Sequence, residues 1–334
     1  MISWVDKKLS CPSPEDLESE ELRMLAKKLK GDSEKETLTN ILEWQEKNIQ
    51  YWKEKFICPI IFISVLLIIL FSLFGANVLN ELIFLIRLLV VAVFLVLLFL
   101  TASYWLHFRE YQVSIREILG DTFRFSLPVD KILEYQLAVC KDYAKLTAAL
   151  LFNIYPDSKV YFIAVPLHIA VMVKLRGRYY ILDKKLPVLT MDKWFAKNNH
   201  LMRLSLRKIA VTYVSELRRE SEGMPVDIEF KNYEKISMSD FSEKPINTEK
   251  LTKEVTKLLK ISQTPQKEEP DFKITMPNFA TYYEDDEIVI YSMARAIKNK
   301  LESEFCGNTD KISRIEITQN GKDLIVKVYL LDNY

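Results

Sequence analysis

Four cysteines and three histidines occur in the 334 residues, and one of each stands where a nucleophile and its base would have to be. Cys140 falls where a helical pattern begins, in Leu137-Ala138-Val139-Cys140-Lys141-Asp142-Tyr143-Ala144. A helix N-terminus sets partial positive charge and free amide donors beside a side chain, which favours a thiolate and can receive an oxyanion. His168 lies on one arm of a hairpin predicted to turn at Arg176-Gly177-Arg178, and Asp183 lies on the other. Counted outward from that turn, position 168 faces a residue between about 183 and 185, so ring and carboxylate are neighbours. The chemistry would be nucleophilic: Cys140 attacks a carbonyl, His168 moves the protons, and Asp183 orients the ring and stabilises its charged form. Taken singly, each residue reads more simply as an inert core thiol, a satisfied strand histidine and an acid ending a strand. Their order, with 28 residues from Cys to His and 15 from His to Asp, favours a joint role.

These side chains need a helix followed by a sheet. Ile132 to Phe152 has helical character broken near Cys140, and Tyr155-Pro156-Asp157-Ser158 is a stop and turn. Val160–Val165, Leu167–Leu175 and Tyr179–Asp183 are β-rich runs. Upstream, Ser33 to Lys55 follows a Gly31-Asp32-Ser33 start signal with Leu38, Ile41, Leu42, Ile49 and Trp52 at three- and four-residue steps. It is expected to run on as one helix toward the next segment and to pack its apolar face on chain beyond residue 107. Residues 203 to 236 are expected to hold a further strand or helix.

That next segment is the most apolar part of the chain. Phe56 to Ala76 contains 21 residues without a charge and Leu88 to Leu106 contains 19 more, each long enough to cross a bilayer core of about 30 Å as a helix. The expectation is a transmembrane hairpin over 56–106, with spans at 56–76 and about 84–106. Lys47, Lys53 and Lys55 before it and Arg109 and Arg116 after it place both termini in the cytoplasm of a multi-pass cell-membrane protein. Arg87 would snorkel to the headgroups, and the lipid bilayer would be a partner.

Beyond the linker Ser262–Pro270 and the charged helix Asn247–Ile261 before it, Glu284–Phe305 reads as an amphipathic helix. Ile312–Thr318 and Leu324–Leu331 flank Asn320-Gly321, a strong hairpin signal. The domain reading is N-terminal helices (1–55), hairpin (56–106), core (107–204), connecting segment (205–265) and a C-terminal α+β module (266–334). With 46 Lys and Arg against 45 Asp and Glu, the net charge is +1, and no basic patch points to nucleic acid. The cysteines form no C-x-x-C pair and read as free thiols in a reducing compartment. No metal or cofactor is called for.

Ala138-Val139-Cys140-Lys141-Asp142-Tyr143-Ala144, then Leu167-His168-Ile169-Ala170-Val171, then Tyr179-Tyr180-Ile181-Leu182-Asp183 resemble the three-part motif of the transglutaminase-like superfamily. The resemblance implies a papain-like α+β cysteine domain, here interrupted by the membrane hairpin, with catalytic roles for Cys140, His168 and Asp183. Ile41-Leu42-Glu43-Trp44 and Asn48-Ile49-Gln50-Tyr51 resemble the helix that often opens such domains. The layout is similar to archaeal membrane proteins that carry a transglutaminase-like domain. Ala138 stands where the family often has Gly, and Lys184 where Pro is common; Gln136 is a candidate oxyanion donor, though also an ordinary helix-surface residue. The implied substrate is a peptide or protein, with water or an amine as acyl acceptor. A non-enzymatic scaffold that keeps the fold is the alternative, and the oligomeric state is open.

Overall fold

The computed structural model describes residues 10–52, 55, 120–121, 124–165, 167–198, 213–218, 227–229, 246–261 and 268–331, with isolated positions between 88 and 98. In chain order come helices α1 (Pro14–Glu18), α2 (Glu20–Leu29) and α3 (Glu34–Asn48) and the short strand β1 (Gln50–Tyr51). Helix α4 (Val129–Tyr135), strand β2 (Leu137–Ala138) and helix α5 (Cys140–Ile154) lead into strands β3 (Lys159–Val165), β4 (His168–Leu175) and β5 (Arg178–Leu182). Helix α6 (Met191–Lys197) and strands β6 (Tyr213–Arg218) and β7 (Asp227–Glu229) follow. The fold is α+β.

Strands β3 to β7 form an antiparallel sheet in the order β5-β4-β3-β6-β7. Side chains alternate across it. Val160, Phe162, Ala164, Val171, Val173 and Leu182 face the helical core, while Tyr161, Ile163, Val165, Ala170, Met172 and Ile181 pack on the other face with Trp194 and Phe195 of α6. Burial on both faces explains why these strands read as unbroken apolar runs. Helix α5 is buried along nearly its whole length, as its all-round apolar character requires of a core helix. Its two buried charges are paired: Lys145 with Asp16 at 3.6 Å and Asp142 with Lys55 at 3.3 Å.

The β4–β5 hairpin closes on Arg176 and Gly177, which carry φ of +48° and +80°. Positive φ at both central residues is the signature of a type I′ turn, whose twist matches that of the strands.

Helix α3 ends at Asn48 and does not continue through Lys55. Gln50 N–H donates to Gln136 O at 2.7 Å and Trp52 N–H to Ala138 O at 3.0 Å, so the chain leaves the helix to pair in parallel with β2. The apolar face of α3 packs on α5, where Gln45 Nε2 donates to Thr147 Oγ1 at 2.8 Å. Apolar side chains from Leu38–Trp52 and Leu127–Val188 thus share one core.

The expected transmembrane hairpin, and with it a multi-pass cell-membrane protein with two spans and cytoplasmic termini, is corrected. Among the described residues no helix is long and apolar enough to cross a membrane. The runs 56–76 and 84–106 lie outside those residues apart from the isolated positions between 88 and 98. A charge-free run meets a length threshold, but spanning also needs one continuous apolar helix. The longest described helix, 18 residues, is amphipathic and carries Arg295, Lys298 and Lys300.

Toward the C-terminus, α7 (Thr248–Leu259) and α8 (Glu287–Glu304) pack on a sheet of β8 (Phe272–Met276), β9 (Ile312–Asn320) and β10 (Asp323–Leu330), ordered β8-β10-β9. The β9–β10 loop is Gly321-Lys322, one residue beyond the Asn320-Gly321 signal, because Asn320 pairs with Asp323. This unit is docked on the first. The Asp286 carboxylate caps α8 through Ile288 N–H at 2.9 Å and also accepts from Tyr180 Oη at 3.0 Å and Arg178 Nη1 at 2.7 Å on β5.

Candidate active site

Cys140 is the first residue of α5, so its amide belongs to the turn that lacks intrahelical acceptors. The Asp142 carboxylate accepts from Val139 N–H at 3.1 Å and from Leu127 N–H at 2.9 Å, locking the entry of the helix against the loop before α4. Cys140 keeps 7% of its surface exposed, and its sulfur lies 4.0 Å from Leu167 O. Leu167 has φ of +64° and is itself exposed, a backbone conformation that costs a non-glycine residue about 1–2 kcal/mol. That bend delivers His168 to the start of β4 beside the thiol.

His168 is on the face of β4 shared by Ala170 and Met172, and Asp183 follows β5 on the face of Ile181. Both point toward α6. His168 Nε2 and Asp183 Oδ1 are 2.9 Å apart, and the Cys140 side chain is a further partner of the ring that raises its proton affinity. The second carboxylate oxygen accepts from Trp194 Nε1 at 3.0 Å and Lys197 Nζ at 3.4 Å. Trp194 also stacks on the imidazole, with centroids 5.9 Å apart and 25° between planes. Sulfur, ring and carboxylate therefore stand together, with α6 holding the last two.

Burial on its own would lower the pKa of His168, but the charge and hydrogen bond of Asp183, with a contribution from Cys140, raise it to about 9. Burial would raise Asp183, and Lys197 and His168 more than offset this, holding it well below the usual carboxylate range. At neutral pH the pair is an imidazolium and a carboxylate.

This coupling predicts a pH dependence of stability. A group whose folded pKa is raised stabilises fully below its unfolded value, near 6.5, and that contribution is lost as pH rises through about 9. The size is roughly 3 kcal/mol. Denaturant midpoints compared between wild type and His168→Gln from about pH 6 to about pH 10 isolate it, since other titrations are common to both. Parallel curves would show that His168 gains no proton affinity on folding.

Sequence reading passed over Trp194, Lys197, Tyr51 and Lys184. A fully buried tryptophan needs an acceptor for its N–H, which is the one signal that pointed from Trp194 to a nearby acid. Lys197 shares the site-facing side of α6 three residues later. Tyr51 was read as helix, yet it lies on β1 opposite Ala138, and its hydroxyl accepts from the Cys140 amide. Gln136 is exposed, in a left-handed C-cap of α4. Among the described residues no group of three or more His, Cys, Asp or Glu side chains could hold a metal ion.

Residues 20–212 match the family described as transglutaminase-like domain, more than half of the chain. The chain belongs to this family. A UPF0252 protein of Methanocaldococcus jannaschii is 33% identical over 208 residues, covering 61% of this chain and 55% of the relative. A shorter protein of the same organism is 47% identical over 58 residues, 17% of this chain and 83% of its own length. A UPF0252 protein of Pyrococcus horikoshii is 27% identical over 214 residues, 58% of this chain and 67% of the relative. The chain spans about half the length of the first of these relatives. No solved structure matches.

Proposed function

We propose that this transglutaminase-like protein is a cysteine-dependent acyl-transfer enzyme acting on an amide or related acyl bond of a peptide or protein. One observation carries the reading. The thiol at the open end of α5 contacts an imidazole whose far nitrogen is bonded to a buried carboxylate. In this scheme the Cys140 thiolate adds to the carbonyl carbon and the π pair moves to oxygen. Collapse expels the amine, which takes the proton of imidazolium His168 and leaves a thioester. The neutral ring then removes a proton from the second nucleophile, which releases the acyl group and restores the thiolate. Asp183 keeps the ring in one orientation throughout.

Thiol alkylation tests it. Cys306 is exposed and serves as an internal standard, while burial pushes the Cys11 thiol up to about 12. At about pH 6 an ordinary thiol is under ~1% thiolate. Iodoacetamide, read by peptide mass spectrometry, should modify Cys140 at least about tenfold faster than Cys306 at that pH. His168→Ala should remove the advantage. Equal rates in the wild type would leave the fold without an activated nucleophile, and the site would then be a binding groove.

A further inference from the structure

A tetrahedral intermediate on Cys140 needs donors for its oxyanion, and the Cys140 amide can supply only one. The residue that shares this spot comes from outside the helix–hairpin motif. Strand β1 runs parallel to β2, with Tyr51 opposite Ala138, two residues before the nucleophile. Trp52 N–H to Ala138 O at 3.0 Å and Tyr143 Oη to Ile49 O at 2.7 Å tie down both sides of Tyr51. Its half-buried hydroxyl is the acceptor facing the Cys140 N–H. From the other side, Lys184, in a left-handed turn directly after Asp183, lays its ammonium 4.4 Å from the ring centroid, a contact that holds the ring in place.

We propose that Tyr51 is the second oxyanion donor, its O–H and the Cys140 N–H converging on the substrate oxygen. This rests on the acyl-transfer reading above. In the resting protein the amide points at the phenol oxygen. When the thiolate adds to a carbonyl carbon, the π pair moves onto the substrate oxygen. The amide then donates to that oxygen, and Tyr51 rotates its O–H hydrogen onto it. No proton changes owner, and collapse expels the leaving group and re-forms the carbonyl as a thioester. Burial, reinforced by Cys140, Asp142 and Asp183, pushes the phenol up to about 12, so it keeps its proton and remains a donor at neutral pH. Gln136, the donor suggested by sequence, is turned outward and uses its carbonyl to hold Gln50.

Two probes separate this role from every other. Acylation by 4-nitrophenyl acetate passes through an oxyanion: sulfur bonds to the carbonyl carbon and 4-nitrophenolate leaves. Alkylation by iodoacetamide does not: sulfur displaces iodide at a saturated carbon. In the full chain, Tyr51→Phe keeps the ring under Lys184 and removes only the hydroxyl. It should slow acylation of Cys140 by about 10²- to 10³-fold and leave its alkylation within about twofold of wild type, which also reports that the site is folded. Unchanged acylation overturns the proposal, and so does a parallel loss of both reactions, which would make Tyr51 a partner of the thiol. If the wild-type thiol alkylates no faster than Cys306, the nucleophile reading itself has failed, a result visible before any variant is made.

Discussion

Asp183→Asn is expected to lower acylation of Cys140, the first step of the proposed reaction, by about 10³- to 10⁴-fold, the scale of loss when a neutral amide replaces the acid behind a catalytic histidine. The carboxylate does two things that an amide cannot do. Its charge offsets the burial of His168 and raises the ring to about 9; without it, burial dominates and the ring is neutral at pH 7. It also meets two cations, His168 at 2.9 Å and Lys197 at 3.4 Å. With Asn present, Lys197 faces an uncharged group and the ring loses the partner that fixes its tautomer. Single-turnover acylation by 4-nitrophenyl acetate at about pH 7 measures the effect. The alkylation rate of Cys140 should also fall toward that of Cys306. A variant within about tenfold of wild type would reduce Asp183 to a structural acid.

The second large effect is on stability. Asp142→Ala is expected to destabilise the fold by about 3–5 kcal/mol, as breaking a buried ion pair from one side does. Asp142 is fully buried and accepts from Ser126 Oγ at 3.1 Å, Leu127 N–H at 2.9 Å, Val139 N–H at 3.1 Å and Lys55 Nζ at 3.3 Å. Alanine leaves two backbone donors unmet and an ammonium without its counter-charge. One release exists. Burial already pulls the Lys55 pKa down while Asp142 holds it up, so the variant can shed that proton and sit at the lower end of the range. Asp142→Asn, which keeps an acceptor oxygen, should cost less. Against a total of about 5–15 kcal/mol for a domain, the alanine loss is easily seen as a fall in the urea midpoint. A cost under about 1 kcal/mol would mean that water replaces the carboxylate.

How much of this was legible differs from element to element. The helix break at Cys140, the turn after Ile154 and the Arg176-Gly177 hairpin were readable because each depends on residues within a few positions: a change of period, a proline, a glycine that tolerates positive φ. The Asn320-Gly321 signal found its hairpin but missed the register by one residue, since pairing of Asn320 with Asp323 is settled across the strands. Strand β8 was missed: its residues Phe272 to Met276 are half polar and become a strand only by pairing with β10. The end of α3 was missed for the same reason. Gln50 and Tyr51 fit a helical pattern until Gln136 and Ala138 offer their carbonyls.

By itself, then, the sequence determined what short-range chemistry can determine: the β-rich runs that become β3 to β5, the order of thiol, imidazole and acid, and the family that this order resembles. Tertiary structure alone decided which groups surround them. Trp194 and Lys197 reach Asp183, and Tyr51 reaches Cys140, across 89 residues of chain in the latter case, as the difference 140 − 51 gives. Hydropathy, likewise, counts residue types alone, and among the described residues no helix is long and apolar enough to cross a membrane. The physical reason is common to all of these. Backbone preference acts over a turn or a strand pair, but burial, hydrogen-bond partners and proton affinity depend on atoms brought together from anywhere in the chain.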